Sequence, residues 1–174
     1  CQLVPPQLEP DSKLRIVVIG SIGKAKGFDI LNACACDAKA RKLPLEFLLL
    51  GHSLKDSVLE RCNVKITGRY LEHEAGSKLT ALDPHLVWLP STAPETYSYT
   101  LSLALNGGYP TFAFDIGAIA MRLRAINQEH TLMPLQMLES PRAINDRFVN
   151  YLRNCQSPQP ESVKDSNDSV TIRP

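Results

Sequence analysis

Apolar residues along this chain fall into short unbroken runs separated by stretches of helical periodicity. LRIVVIG (14–20) and LEFLLLG (45–51) are apolar apart from Arg15 and Glu46 and are closed by glycine, which predicts strands buried on both faces. VKITG (64–68), HLVWLP (85–90) and PTFAFD (110–115) read as further strands. Between them, residues 28–41 place Phe28, Ile30, Leu31 and several alanines on one helical face, with Lys39, Arg41 and Lys42 near the C-terminus. The pattern predicts more helices over 54–62, 72–82, 97–105, 116–124 and 141–154, the fourth stopping at the Asn106-Gly107-Gly108 break.

Fully apolar strands alternating with helices predict a parallel sheet covered on both sides. Right-handed crossovers then give a doubly wound, Rossmann-like α/β sandwich. In such sheets ligands bind outside the C-terminal strand ends. Three segments leave those ends here: 21–27, the loop after Gly51, and 91–97.

The chain ends differ from this pattern. Residues 1–13 contain Pro5, Pro6 and Pro10 and read as a linker, which implies that something precedes the domain at 14–155. Residues 156–174 are polar, rich in proline and serine, and are expected to be a disordered tail. The 174 residues suit one domain. A net charge of +1 gives no basic field for nucleic acid or an anionic membrane, and no apolar run approaches the ~20 residues of a membrane helix. The five cysteines show no framework spacing. Cys34 and Cys36 point to different faces of a helix, so all five are expected to be free thiols in a reducing compartment.

Two segments carry candidate chemistry. In GSIGKAKGFD (20–29), Gly20 and Gly23 let the backbone turn sharply and approach a ligand, while Gly27 precedes a helix whose first amides attract anions. Lys24 and Lys26 add positive charge there, which opposes the helix dipole unless an anion such as a diphosphate offsets it. Read alone, the segment is equally a glycine-rich surface turn with solvated lysines. In PSTAPETYSYT (90–100), Ser91, Thr92, Glu95, Thr96, Tyr97, Ser98 and Thr100 crowd hydroxyls and one carboxylate onto a helix start. Read alone, this is a well-capped helix, with Glu95 a favourable residue near its N-terminus. The pair Tyr97 and Tyr99 either stacks on a base or packs on the protein. The four histidines lack metal-ligand spacing, and Glu72-His73-Glu74 cannot converge on one ion from a helix. Asp29 and Asp115 read as cap and strand-end residues, and Trp88 as core.

These two segments, in order and roughly 70 residues apart, resemble the C-terminal domain of family 4 glycosyltransferases of the GT-B architecture. Gly20, Lys26 and Gly27 fall on the family's first loop, with Ser21 where arginine is expected. Pro90, Ser91, Glu95, Ala104, Gly108 and Pro110 fall on its second signature, with Leu103 in place of the second glutamate. LLLG (48–51) and KITGRY (65–70) resemble the middle strands, and PETYSYTLSLAL (94–105) resembles bacterial transferases that build surface polysaccharide. The resemblance spans about residues 14–153.

It implies a site made of Gly20, Ser21, Gly23, Lys24, Lys26, Glu95, Tyr97, Ser98, Tyr99 and Thr100. Lys26 would pair with the donor diphosphate, Gly20 and Gly23 would let amides reach it, and Glu95 would face the sugar. Amides around Tyr99 and Thr100 would hold phosphate. Leu103 offers no acceptor for a ribose, and Ser21 lacks the charge that an arginine gives a leaving diphosphate; Lys24 is the candidate to compensate.

The implied reaction is transfer from a nucleotide diphosphate sugar to an acceptor hydroxyl, with no cofactor. The absence of Asp-x-Asp fits metal independence. The acceptor-binding N-terminal domain, which holds the family's base-like residue, is expected to be missing from this chain, so no catalytic residue is assigned. The implied location is cytoplasmic, with any peripheral attachment to the inner membrane made through that missing domain. Two other classes compete: a degenerate nucleotide-binding module, favoured by Ser21 and Leu103, and a receiver-type signalling domain, which needs paired acids after the first strand where VVIGSIG has none.

Overall fold

A computed structural model describes residues 8, 9 and 11–156. Six parallel strands lie in the order β3-β2-β1-β4-β5-β6: β1 (Leu14–Ile22), β2 (Leu45–Ser53), β3 (Lys65–Ile66), β4 (Leu86–Leu89), β5 (Thr111–Phe114) and β6 (Leu132–Met133). The helices are α1 (Phe28–Ala40), α2 (Asp56–Arg61), α3 (Ala75–Ala81), α4 (Tyr99–Asn106), α5 (Gly117–Ala125) and α6 (Pro141–Gln156). The expected Rossmann-like α/β sandwich is therefore present. Its order reverses between β1 and β4, which puts the topological switch point there.

Alternation along the strands builds two cores. Ile16 and Val18 face one side with Leu49, Trp88, Phe112, Leu31 and Phe148. Val17 and Ile19 face the other with Leu50, Val87, Leu89, Leu101 and Leu123. Trp88 is fully buried, as expected of a core residue. It meets Phe148 of α6 edge-on at 5.3 Å, while Phe148 also meets Phe112 at 5.7 Å. α6 is held against α1 by buried Asn145, whose Nδ2 donates to the Cys34 carbonyl and to Asp37, each at 2.8 Å.

Several boundaries differ from the periodicity. The helix expected over 72–82 is a 3-10 turn at Glu72–Glu74 followed by α3. The fourth helix starts at Tyr99 because the Ser98 hydroxyl accepts from the Leu101 amide and caps it there. β6 was not expected: it is two residues long, between 3-10 turns, too short to show a period. Of the linker, Leu8, Glu9 and 11–13 are described. The Leu8 amide donates to the Cys155 carbonyl at 3.3 Å, and Gln156 closes α6. The expected tail beyond Gln156 and the prolines of the linker lie outside the described residues.

One expectation about the cysteines is corrected. Cys36 and Cys62 form a disulfide across 26 residues, with Cα atoms 4.8 Å apart. Cys34 and Cys36 do face different ways, but the outward face of α1 lies against the end of α2. Cys34 and Cys155 remain free and buried, and burial pushes the Cys34 thiol up, leaving it unreactive. The cysteine count therefore no longer argues for a reducing compartment. The bridge closes a loop whose removal from the unfolded ensemble is worth about 3 kcal/mol. Reduction with dithiothreitol, or Cys62→Ser, is expected to lower the melting temperature by about 6–12 °C. Calorimetry with and without reductant checks this, and an unchanged melting temperature would show that the bridge constrains nothing.

Candidate functional site

The loops that leave β1 and β4 flank the switch point and are sewn together. After β1 the chain makes a tight turn. The amides of Lys26 and Phe28 both donate to the Gly23 carbonyl at 3.1 Å, and that of Gly27 donates to Lys24 at 3.0 Å. Gly27, at φ +87°, caps α1. A Cβ there would lie 2.1 Å from the Pro90 carbonyl oxygen, so only glycine lets the two loops approach this closely. The Thr92 amide then donates to the Ala25 carbonyl at 2.9 Å.

Across this seam Lys26 Nζ lies 3.5 Å from Glu95 Oε1. The same oxygen accepts from the Ser91 hydroxyl at 2.5 Å, and the Glu95 carbonyl accepts from the Ala118 amide. Two readings change here. Glu95 caps no helix, because α4 begins at Tyr99 with Ser98 as its cap, so the capping explanation of Glu95 is set aside. The amides of Lys26, Gly27 and Phe28 are spent within the turn rather than presented to an anion.

Beside the seam a cleft of about 810 Å³ opens over the C-terminal ends of β1 and β2. Gly20, Ser21, Gly51 and His52 line its floor. Tyr99, Thr100, Ser102, Leu103 and Asn106 line the α4 wall, and Arg69, Tyr70, Glu72 and Ala75 the wall that follows β3. At the start of α4 the Leu101 amide is taken by Ser98, while those of Tyr99 and Thr100 have no protein acceptor among the described residues. Thr100 also sits over Gly20, where a Cβ would lie 3.6 Å from its methyl group. A free helix start thus faces a glycine strand end, an arrangement that can hold an anion. Ser21 Oγ lies 3.1 Å from His52 Nε2. Burial pushes the Tyr70 phenol up, so it stays a neutral donor.

Of the residues expected from the sequence, the cleft brings together Gly20, Ser21, Tyr99 and Thr100. Lys26 and Glu95 meet at the neighbouring seam. Gly23 and exposed Lys24 lie in the first turn, and Ser98 is buried as the α4 cap. Tyr97 and Tyr99 stand edge to face at 5.0 Å, with Arg122 over the Tyr97 ring at 5.0 Å. Both tyrosines are exposed, so the pair packs on itself and on Arg122, not in the core. Of the remaining weak candidates, His85 and Asp115 have structural partners. His85 Nδ1 accepts from the Arg15 amide at 3.0 Å, burial lowers its pKa, and Asp115 pairs with Arg124. Sequence reasoning missed His52, Arg69, Tyr70 and Glu72. The signal available was position: His52 lies at the C-terminal end of β2 and the other three follow β3, where ligands gather.

No family model and no curated protein matches the chain. Solved structures do. HepE of Anabaena, in complex with UDP-glucose, superposes with a TM-score of 0.53 at 20% identity, over 83% of this chain and 43% of HepE. TarM superposes at 0.55 and 18% identity, over 87% of this chain and 32% of TarM. The catalytic domain of starch synthase IV from Arabidopsis thaliana, bound to ADP and acarbose, gives 0.50 at 15% identity, over 91% and 37%. The fold is one that GT-B glycosyltransferases contain. The chain spans less than half the length of each of these three proteins. Among the described residues, no helix is long and apolar enough to cross a membrane.

Proposed function

We propose that this chain is the C-terminal, donor-binding domain of a family 4 GT-B glycosyltransferase, taking a nucleotide diphosphate sugar whose glycosyl group passes to an acceptor hydroxyl. The observation that carries the reading is the meeting of Lys26 and Glu95 across the switch point, 3.5 Å apart and beside the cleft. Each side chain suits a different part of such a donor. A lysine ammonium attracts a diphosphate. A carboxylate accepts hydrogen bonds from sugar hydroxyls and repels phosphate. The Lys26 side chain is 47% exposed, so the pair is worth little by itself and yields readily to a ligand. The free amides of Tyr99 and Thr100 would hold a phosphate without a metal ion, and no cofactor beyond the donor is needed.

In this reading the acceptor site and the group that deprotonates the acceptor belong to a separate N-terminal domain. The purified chain is expected to transfer no sugar, and a donor-dependent glycosylated product would overturn that. The run PETYSYTLSLAL supports a role in bacterial surface-polysaccharide synthesis, which is cytoplasmic at the donor stage. Any attachment to the inner membrane would be made by the other domain.

The test is calorimetry with UDP-glucose, ADP-glucose and the free nucleotide diphosphates, with and without chelator. Weak binding that survives the chelator is expected; loss of binding on chelation would exclude the metal-free site. Lys26→Ala should weaken sugar conjugate and free nucleotide alike, by roughly 10- to 150-fold for a charged hydrogen bond of about 1.5–3 kcal/mol. Glu95→Gln should weaken only the conjugate. If Glu95→Gln left both affinities intact, its carboxylate would serve only to hold Ser91 and Lys26.

A second reading is favoured by Leu103, which lines the cleft and packs against the core without offering an acceptor to a ribose. In that case the domain is a degenerate nucleotide-binding module. Titration separates the two, since a degenerate module would not distinguish nucleotide sugar from free nucleotide.

A further inference from the structure

We propose that the Cys36–Cys62 bridge is a thiol-exchange site, at which a small anionic thiol enters a lysine-lined cavity and attacks the sulfur of Cys62. The cavity lies at the opposite end of the sheet from the cleft, so the inference is independent of the donor reading. It measures about 420 Å³ and lies between the C-terminal end of α1, the start of β2 and the turn after α2. Ala38, Leu45 and Phe47 give it an apolar lining. Cys62 also lines it, and its bridge partner Cys36 does not. A cavity that reaches one half of a disulfide selects which sulfur is attacked.

The charge of the cavity selects the attacker. Lys13 ahead of β1, and Lys39 and Lys42 at the end of α1, all line it. Lys39 Nζ donates to the Arg61 carbonyl at 2.6 Å, which holds its ammonium at the residue preceding Cys62. Lys13 and Lys42 are exposed, and their ammonium groups have no protein acceptor among the described residues. Asp11 is the acidic residue of the lining, so three lysines against one aspartate leave a net charge of +2. The lysines favour the thiolate over the thiol and draw in a thiol that carries a second negative group.

The exchange balances without an outside oxidant. The thiolate forms a bond to Cys62 Sγ, the Cys36–Cys62 bond breaks, and Cys36 leaves as a thiolate. Cys36 then takes a proton from water, and its Sγ lies 3.8 Å from Asn32 Oδ1, an acceptor for that hydrogen. A second molecule of the same thiol, attacking its own sulfur in the mixed disulfide, releases the small disulfide and leaves both cysteines reduced. The reverse sequence closes the bridge.

The experiment follows opening of the bridge in the Cys1→Ser chain, whose other cysteines, Cys34 and Cys155, are buried. The probes are 2-mercaptoethanesulfonate, 2-mercaptoethanol and cysteamine, which put a negative, a neutral and a positive group on the same short thiol. Rates are taken per thiolate and relative to those on hydroxyethyl disulfide, which removes differences in acidity and nucleophilicity among the thiols. On that scale the sulfonate should open the bridge roughly tenfold faster than cysteamine. The preference should fall towards one in about 1 M salt, where charges are screened beyond about 3 Å. It should fall also in Lys13→Gln/Lys42→Asn, which removes two exposed charges and puts at position 42 a residue that tolerates its positive φ. N-ethylmaleimide should trap the first step with the small thiol on Cys62 and the maleimide on Cys36, as peptide mass spectrometry reads directly. Equal scaled rates for the three thiols, adducts mainly on Cys36, or a bridge that opens only in denaturant would each overturn the proposal. The thiol series and the salt arm use no lysine substitution, so they decide the matter even if the double variant is unstable.

Discussion

Phe148→Ala is expected to cost about 3–5 kcal/mol of stability, as large aromatic truncations in a packed core do. Phe148 is fully buried on α6 and meets rings of three strands: Trp88 at 5.3 Å, Phe112 at 5.7 Å and Phe47 at 6.4 Å. No neighbour can collapse cheaply into the gap, because Trp88 and Phe112 are fixed by strands on either side of the β4·β5 pairing. Phe148→Leu keeps most of the volume and should cost less than half as much. Urea midpoints of the two variants check this. Equal losses would mean that edge-to-face ring geometry, and not filled volume, accounts for the stabilisation. The substitution lies on the face of the sheet opposite α4, so nucleotide-sugar affinity of the folded fraction should not change.

That separation between core and site shows what the chain pattern reveals. β1 and β2 were legible because a strand covered on both faces carries an unbroken apolar run, here 16–19 and 47–50. The switch point was legible once loops followed strands in order, and this is why the segments holding Lys26 and Glu95 could be singled out. That both would face one crevice followed from that order, but their 3.5 Å contact could not be read, because it depends on Gly27 admitting Pro90 and on Thr92 bonding to Ala25. His52, Arg69 and Tyr70 were missed for a related reason. Each becomes a cleft residue only through the register of β1, β2 and β3, and no spacing in the sequence encodes register. The Cys36–Cys62 bridge was missed likewise, since it depends on how α2 lies against the outward side of α1.

Gly51→Ala is expected to damage both the fold and the cleft, and Gly20→Ala far less. Both glycines have positive φ, +135° at Gly51 and +115° at Gly20, so any side chain brings strain of about 1–3 kcal/mol. Their surroundings differ. A Cβ on Gly51 would lie 2.0 Å from the Gly20 carbonyl oxygen, a backbone atom that moves only if β1 moves. A Cβ on Gly20 would meet the Thr100 methyl at 3.6 Å, an ordinary contact. Overpacking adds about 1–3 kcal/mol to Gly51→Ala alone, for a total of about 2–6 kcal/mol. The displaced carbonyl belongs to the residue before Ser21, and the Gly51 amide donates to Thr67 Oγ1 at 3.1 Å, so the shift would reach the cleft floor and the segment after β3 that leads into one wall. Urea unfolding should therefore rank wild type above Gly20→Ala and Gly20→Ala above Gly51→Ala. Nucleotide-sugar affinity should fall in Gly51→Ala beyond what its folded fraction explains. Equal destabilisation by the two substitutions would leave positive φ as the whole cause and remove the close approach of Gly51 to Gly20 as the reason for glycine there.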